Sequence, residues 1–337
     1  MKLTYTREEI EAEHEYATPH IECGVKLHGG FSEDGTYVSP RTRNRWQAIN
    51  NWQRHLKDRG AEIVEATGDL LTEPNFPNIA QQVWLLKNGI EQGFWNSLTV
   101  TGLIEARGKA LADVTAPDFQ KIIVEDISET SLAHMNKGLL RAHGWDEGGD
   151  DTDTGGHDVM WFAVRDLVFG KDKYPIPEPP ASIGREKKER EMERIPPEYE
   201  GLISFLMNLL MIEVRAERAF DFYEKVLGNE EVFTDRRKEA AHATVLVNRI
   251  RQDESVHVAW LLSAISEFRS FTIKTVSGEE VNGAEILDPV WGRMVYWHAV
   301  EMHETNRPIN TELVKKTILA TENGEAIFEQ FEALAAA

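Results

Sequence analysis

Glu254 and His257 stand three residues apart in a stretch, residues 251–261 (RQDESVHVAWL), that reads as part of one long helix. At i and i+3 a carboxylate and an imidazole leave the same helical face, the arrangement by which one helix offers two ligands to one metal ion. Val247, Ile250, Val258 and Leu261 fall on that face at helical spacing, so the pair is expected to point into an apolar core. A carboxylate buried without a partner is costly. A cation therefore has to sit beside it, and a metal ion is the leading candidate.

Dimetal centres inside helical bundles draw one carboxylate from each of two helices and a Glu-x-x-His from each of the other two. Glu213 is the expected single carboxylate of one helix, set among Leu206, Leu209, Leu210, Ala216 and Phe220, with Glu217 one turn later as the alternative. On another, Glu91 shares its face with Trp84, Phe94, Trp95 and Leu98, whereas Glu105 has Thr101, Gly102, Gly108 and Lys109 as neighbours, which makes Glu91 the first choice and Glu105 the reserve. The fourth helix departs from the pattern. Glu125 and Glu129 share a face with Ile122 and Leu132, and the nearest histidine, His134, lies five residues beyond Glu129. Residues i and i+5 of a regular helix point well apart, so both reach one site only through a π-bulge; otherwise the second metal is held by carboxylates alone.

The 251–261 segment resembles the Asp-Glu-x-x-His segment on the last core helix of ferritin-like diiron carboxylate proteins, the bacterioferritin-like and non-haem oxygenase-like bundles. The resemblance implies an all-α fold, a ferritin-like four-helix bundle with additional N- and C-terminal helices. It also implies that Glu254 bridges or chelates, that His257 binds one metal and that Asp253 lies just outside the ligands. The expected metal set is then Glu91, Glu129, His134, Glu213, Glu254 and His257, with Glu91, Glu129, Glu213 and Glu254 carrying the chemistry and Glu105, Glu125 or Glu217 as replacements. Oxygen-rich ligands with one or two imidazoles suit two iron ions, or manganese. The implied activity is that of an oxidase or oxygenase that uses O2 and an electron donor to oxidise a small organic substrate; a ferroxidase that oxidises its own iron and a metal-free helical scaffold are the other readings.

The elements that must position these residues follow from periodicity. Core helices are expected over about 77–111, 118–143, 197–227 and 236–268, with a further helix over 158–169 and a short hairpin over 271–281 that turns at Ser277-Gly278. Residues 1–75 read as a flank or lid, 76–270 as the bundle with a polar, proline-rich connection inserted at 145–197, and 271–337 as C-terminal helices packed on it. Asp150, Asp151 and Asp153 lack the glycine and terminal glutamate of a calcium loop, the run Arg185–Arg194 alternates with glutamates as a solvated segment does, and His298, Glu301 and His303 read as packing and surface residues. A net charge of -20 argues against nucleic acid and against an anionic membrane surface. The single cysteine, Cys23, excludes an internal disulfide and a cysteine-based zinc site. A cytoplasmic homodimer is expected.

Overall fold

Two long helices carry the centre of the molecule. In the computed structural model, which describes residues 1–150, 152–186 and 189–336, Pro197–Gly228 and Arg237–Ser270 are continuous helices packed along each other. The first begins with proline at a position where no intrahelical N–H is needed and has Glu198 and Glu200 in its first turn, both favourable at a helix N-terminus. The connection over 229–236 is short enough to fold the second helix back antiparallel.

In chain order the helices are α1 (Arg7–Ile10), α2 (Thr42–Asp58), α3 (Ile79–Lys87), α4 (Gln92–Gly108), α5 (Leu139–Gly148), α6 (His157–Phe169), α7 (Pro197–Gly228), α8 (Arg237–Ser270), α9 (Gly283–Tyr296), α10 (Met302–Leu319) and α11 (Gly324–Ala333). Helix makes up 62% of the structure, and the strands form two small sheets. One is antiparallel, β1 (Thr18–Glu22), β2 (Val25–Phe31) and β3 (Tyr37–Val38); the other is the expected hairpin, β4 (Thr272–Lys274) and β5 (Glu280–Asn282), which turns through Gly278 at φ 87°. No helix among the described residues is long and apolar enough to cross a membrane.

α4 packs on α6, α6 on α8 and α8 on α7, and Phe94 of α4 meets Tyr223 of α7 with ring centroids 5.8 Å apart. Apolar residues around Trp161, Phe220 and Val247 form one core, and those around Met207, Val214 and Trp260 form another. Between them, at the level of Glu213 on α7 and Asp253 to His257 on α8, the interior is polar.

Two expected helices are different. The span 77–111 is interrupted at Asn88-Gly89, where Gly89 has φ 73°, and becomes α3 and α4. The span 118–143 is mostly not α-helical: it holds 3-10 turns at Phe119–Lys121 and Leu132–Lys137, and α-helix begins only at Leu139. Local side-chain bonds hold it open. The Gln120 side chain donates to the carbonyls of Ile123 and Glu125 and accepts from Ile127 N, Asp126 accepts from Ser128 N, and Thr130 donates back to the Ile127 carbonyl. Such bonds offer the backbone an alternative to the helix ladder.

Candidate metal centre

Seven acidic and imidazole side chains from α4, α5, α6, α7 and α8 converge in the polar layer, all of them buried. They form two groups whose possible ligand atoms lie within 4.8 Å of one another: His143, Glu147, Glu213 and His257 in one, Glu105, Glu147, His157 and Glu254 in the other. Glu147 belongs to both. Its Oε1 lies 3.0 Å from His257 Nδ1 and 3.2 Å from His143 Nε2, and its Oε2 lies 3.9 Å from His157 Nδ1. Glu254 also faces both ways, with Oε2 2.6 Å from His257 Nδ1 and Oε1 3.1 Å from His157 Nδ1. Glu213 Oε1 is 3.2 Å from His143 Nε2.

The sequence brings Glu147 and His157 together across a helix break. Glu147 lies in the last turn of α5 and His157 is the first residue of α6. A Cβ on Gly156 would stand 2.5 Å from Gly149 N and 2.7 Å from the Glu147 carbonyl oxygen, so only glycine allows the turn to close this tightly. Gly108, on α4, clears space for Glu147 itself: a Cβ there would meet Glu147 Cγ at 2.6 Å. Asp151 lies outside the described residues, as do Lys187 and Lys188 of the charged run.

Each of two histidines turns its outer nitrogen to an aspartate. His257 Nε2 is 3.0 Å from Asp146 Oδ2, and Asp146 in turn accepts from Arg41 and from Arg45 Nη2 at 2.6 Å. His157 Nε2 is 3.3 Å from Asp253 Oδ2, which also accepts from the Tyr37 hydroxyl at 2.9 Å and lies 3.2 Å from His28 Nε2. A carboxylate on the far nitrogen fixes the ring and leaves Nδ1 to face the cluster, the usual support of a metal-binding imidazole. His143 is different. Trp260 Nε1 donates to its Nδ1 at 3.1 Å, so the ring proton sits on Nε2, between Glu147 and Glu213. Burial and the adjacent His257, stacked at 3.7 Å, bring His143 down to about 4 and keep it neutral. The arrangement makes His143 a proton donor to carboxylates, leaving Glu105, Glu147, Glu213, Glu254, His157 and His257 as the metal-facing set.

The electrostatics of the cluster are those of a site that wants cations. Burial, and then repulsion from Glu147 and Glu254, holds the carboxyls of Glu105 and Glu213 well above the ordinary range. Burial opposes charge on His157 and His257 too, yet the carboxylates around them outweigh it and hold both well above 6.5. Glu147 is held low despite its burial by hydrogen bonds from Glu105 and the histidines. Glu147 Oε1, His143 Nε2 and His157 Nδ1 nevertheless make no well-formed hydrogen bond. Glu147 Oε1 and His157 Nδ1 are thus close to opposite partners without being satisfied by them, as ligand atoms facing a common cation are. A donor set of carboxylate oxygens and imidazole nitrogens, with the one cysteine exposed elsewhere, suits iron or manganese.

The structure brings Glu213, Glu254 and His257 together, adds the reserve Glu105, and puts Asp253 just outside as expected. It places the remaining expected ligands elsewhere. Glu91 caps the start of α4 and pairs with Lys173 Nζ at 2.6 Å, because the break at Gly89 puts it at a helix end rather than mid-helix. Glu129 is exposed in a turn. His134 is buried, but between Tyr5 N at 3.0 Å and the Thr130 carbonyl at 2.7 Å, so both ring nitrogens are engaged by backbone. Glu125 accepts from Thr272, and Glu217 pairs with Arg251. Glu147, His157, His143 and Asp146 were not anticipated. A signal existed in the i, i+4 pair His143 and Glu147, on a helix with Leu139, Leu140 and Ala142 in its core-facing half, and in a histidine heading the apolar run Met160, Trp161, Val164.

No protein-family model, curated protein or solved structure matches the chain.

Proposed function

We propose that the chain is a non-haem dimetal oxidase or oxygenase of the ferritin-like kind, with two iron ions, or iron and manganese, held between Glu105, Glu147, Glu213, Glu254, His157 and His257. The observation that carries this reading is the donor set itself: four carboxylates and two imidazoles in two groups that share Glu147, each imidazole backed by an aspartate. Its distribution supports the ferritin-like assignment. α4 and α7 give one glutamate each and α8 gives Glu254 and His257, while the second Glu/His pair is divided between α5 and α6.

A bound ferrous pair supplies the electrons and open positions that reduction of dioxygen requires and that these side chains lack. The protein's own part is positional. The two oxygens of Glu147 face the two groups, so one carboxylate fixes their separation. Asp146, neutralised by Arg41 and Arg45, orients His257; Asp253, with Tyr37 and His28, orients His157. His143 carries an N–H on Nε2, 3.2 Å from both Glu147 and Glu213, within reach to steady either carboxylate by a hydrogen bond. Burial of the whole cluster excludes bulk water, which protects a strong oxidant from quenching. Arg41 and Tyr37 come from the N-terminal 75 residues, so that segment serves as the wall of the site.

The test is metal analysis of protein produced with iron and manganese supplied, followed by oxygen uptake of the anaerobically reduced protein. Two ions per chain and oxygen consumption are expected. Fewer than one ion per chain after supplementation refutes the reading, and oxygen uptake that stops after the bound iron is oxidised, with added donor and organic acids present, favours the ferroxidase.

A further inference from the structure

A cleft runs over the outer face of α7, on the side away from α8, where α10 and the 71–97 segment approach it. One part, about 250 Å3, is lined by Arg215, Arg218, His303 and Arg307. The other, about 580 Å3, has Leu85, Ile90, Phe222 and Val314 on its walls. Asn75, Phe76, Ala219 and Asn310 line both, so the two parts adjoin.

Three guanidinium groups gathered in one small cavity are unexpected in a chain of net charge -20. Glu73 is the one carboxylate lining that part, and it reaches Arg307 at 3.5 Å. Among the described residues neither Arg215 nor Arg218 has a carboxylate partner. Arg218 donates to the Glu73 carbonyl at 3.0 Å, and Arg215 is left with the Ile183 carbonyl at 2.9 Å, the thioether of Met302 and the neutral ring of His298. The apolar part carries its own unmet demand: Gln82 Nε2 and Asn96 Oδ1 line it and are buried without a hydrogen-bond partner. A forked cation cluster opening into an apolar chamber is complementary to a molecule with an anionic head and an apolar body.

We propose that this cleft binds an amphipathic organic acid, with its carboxylate on Arg215, Arg218 and Arg307 and its apolar body along Leu85, Ile90 and Phe222. The body then ends beside Ser97 and Tyr223, which also line the cleft. Ser97, Thr101 and Glu105 succeed one another at i+4 on one face of α4, so Glu105 is about 12 Å further along the helix. Thr101 Oγ1 and Tyr223 Oη, 3.3 Å apart, close α4 against α7 beyond that end of the cleft. The binding of the acid does not rest on the dimetal reading.

Calorimetric titration with decanoate, on chelated and on metal-loaded full-length protein, tests the proposal. One saturable site per chain is expected in both forms, while acetate, which lacks the body, and decyltrimethylammonium, which reverses the charge, do not compete for it. Arg218→Gln and Arg307→Gln, at a half-buried and an exposed position, are expected to fold normally by circular dichroism and to weaken decanoate about tenfold or more each, the loss of a charge-assisted hydrogen bond. Unsaturable binding, or an unchanged dissociation constant in both variants, overturns the proposal. The outcomes separate from those of the metal site: decanoate binding that needs both arginines in a protein that takes up no oxygen keeps the cleft and removes the oxygenase, whereas oxygen uptake without decanoate binding does the reverse.

Discussion

Loading the cluster with metal should expel protons. Without metal, burial and the neighbouring carboxylates raise Glu105 and Glu213 well above 4.5, and the carboxylates around His157 and His257 raise both well above 6.5, so four of the six clustered groups hold a proton more tightly than a free side chain does. Two divalent ions bring four positive charges, enough to displace up to four protons, two for each ion. The sign follows: protons are held by the metal-free form, so metal binding weakens as pH falls. Two protons per ion amount to about 2.7 kcal/mol per pH unit, or about a hundredfold in dissociation constant for each ion, below the pKa values of these groups. The assay is addition of manganese, or of ferrous ion under anaerobic conditions, to chelated protein at pH 7 in dilute buffer with a pH indicator, with bound metal counted in parallel. Roughly four protons should appear as two ions bind. Two bound ions with fewer than about one proton released would show that the cluster is not protonated as its geometry demands, and the charge-exchange argument would fail.

Glu147→Gln should cost both ions most of their affinity, whereas Glu91→Ala, Glu129→Ala and His134→Gln should leave two per chain, since these three residues lie outside the cluster; metal counts on the four purified variants decide it. Asp253→Asn keeps the His157 ligand but loosens its outer nitrogen, so metal at the group containing His157 should bind about ten- to a hundredfold more weakly, with the group containing His257 little changed, as read by competition with a chelator. Glu267 offers a stability test remote from the metal. Burial pushes its carboxyl up to about 7 from an ordinary 4.5, although Ser131 and Leu132 donate to it. An acid raised on folding contributes stability that is complete below about pH 4.5 and lost as pH rises through about 7, on the order of 3 kcal/mol in all. Denaturant melts between pH 4.5 and 8 should therefore show the protein losing about 3 kcal/mol that Glu267→Gln, whose side chain does not titrate, does not lose, and parallel curves would refute the assignment.

The part of the site that the sequence disclosed is the part contained within single helices. Glu254 and His257 are legible because one helix fixes their relation at i, i+3, and Glu213 because its apolar neighbours repeat at helical spacing. Glu147 and His157 make an equivalent pair, but the chain divides it between the last turn of α5 and the first residue of α6, and no periodicity survives a helix break closed by Gly149 and Gly156. Expecting a helix over 118–143 then drew attention to Glu129 and His134, in a span whose Gln, Asp and Thr side chains hold the backbone in turns.

The choice between Glu91 and Glu105 turns on what surrounds a ligand. Its large aromatic neighbours in sequence suggest burial for Glu91, but the break at Gly89 puts it at the start of α4, paired with Lys173 and away from the cluster. Glu105 has Gly102 and Gly108 on its helix, and Gly108 is where a Cβ would strike Glu147. A dimetal site must bring four acidic groups within about two ligand bonds of each other. The backbone has to come close to allow this, and it does so where side chains are absent. In this chain a glycine three residues from a glutamate marks the member of the buried cluster better than a tryptophan does, because a clustered carboxylate needs room for its partners as much as shelter from water.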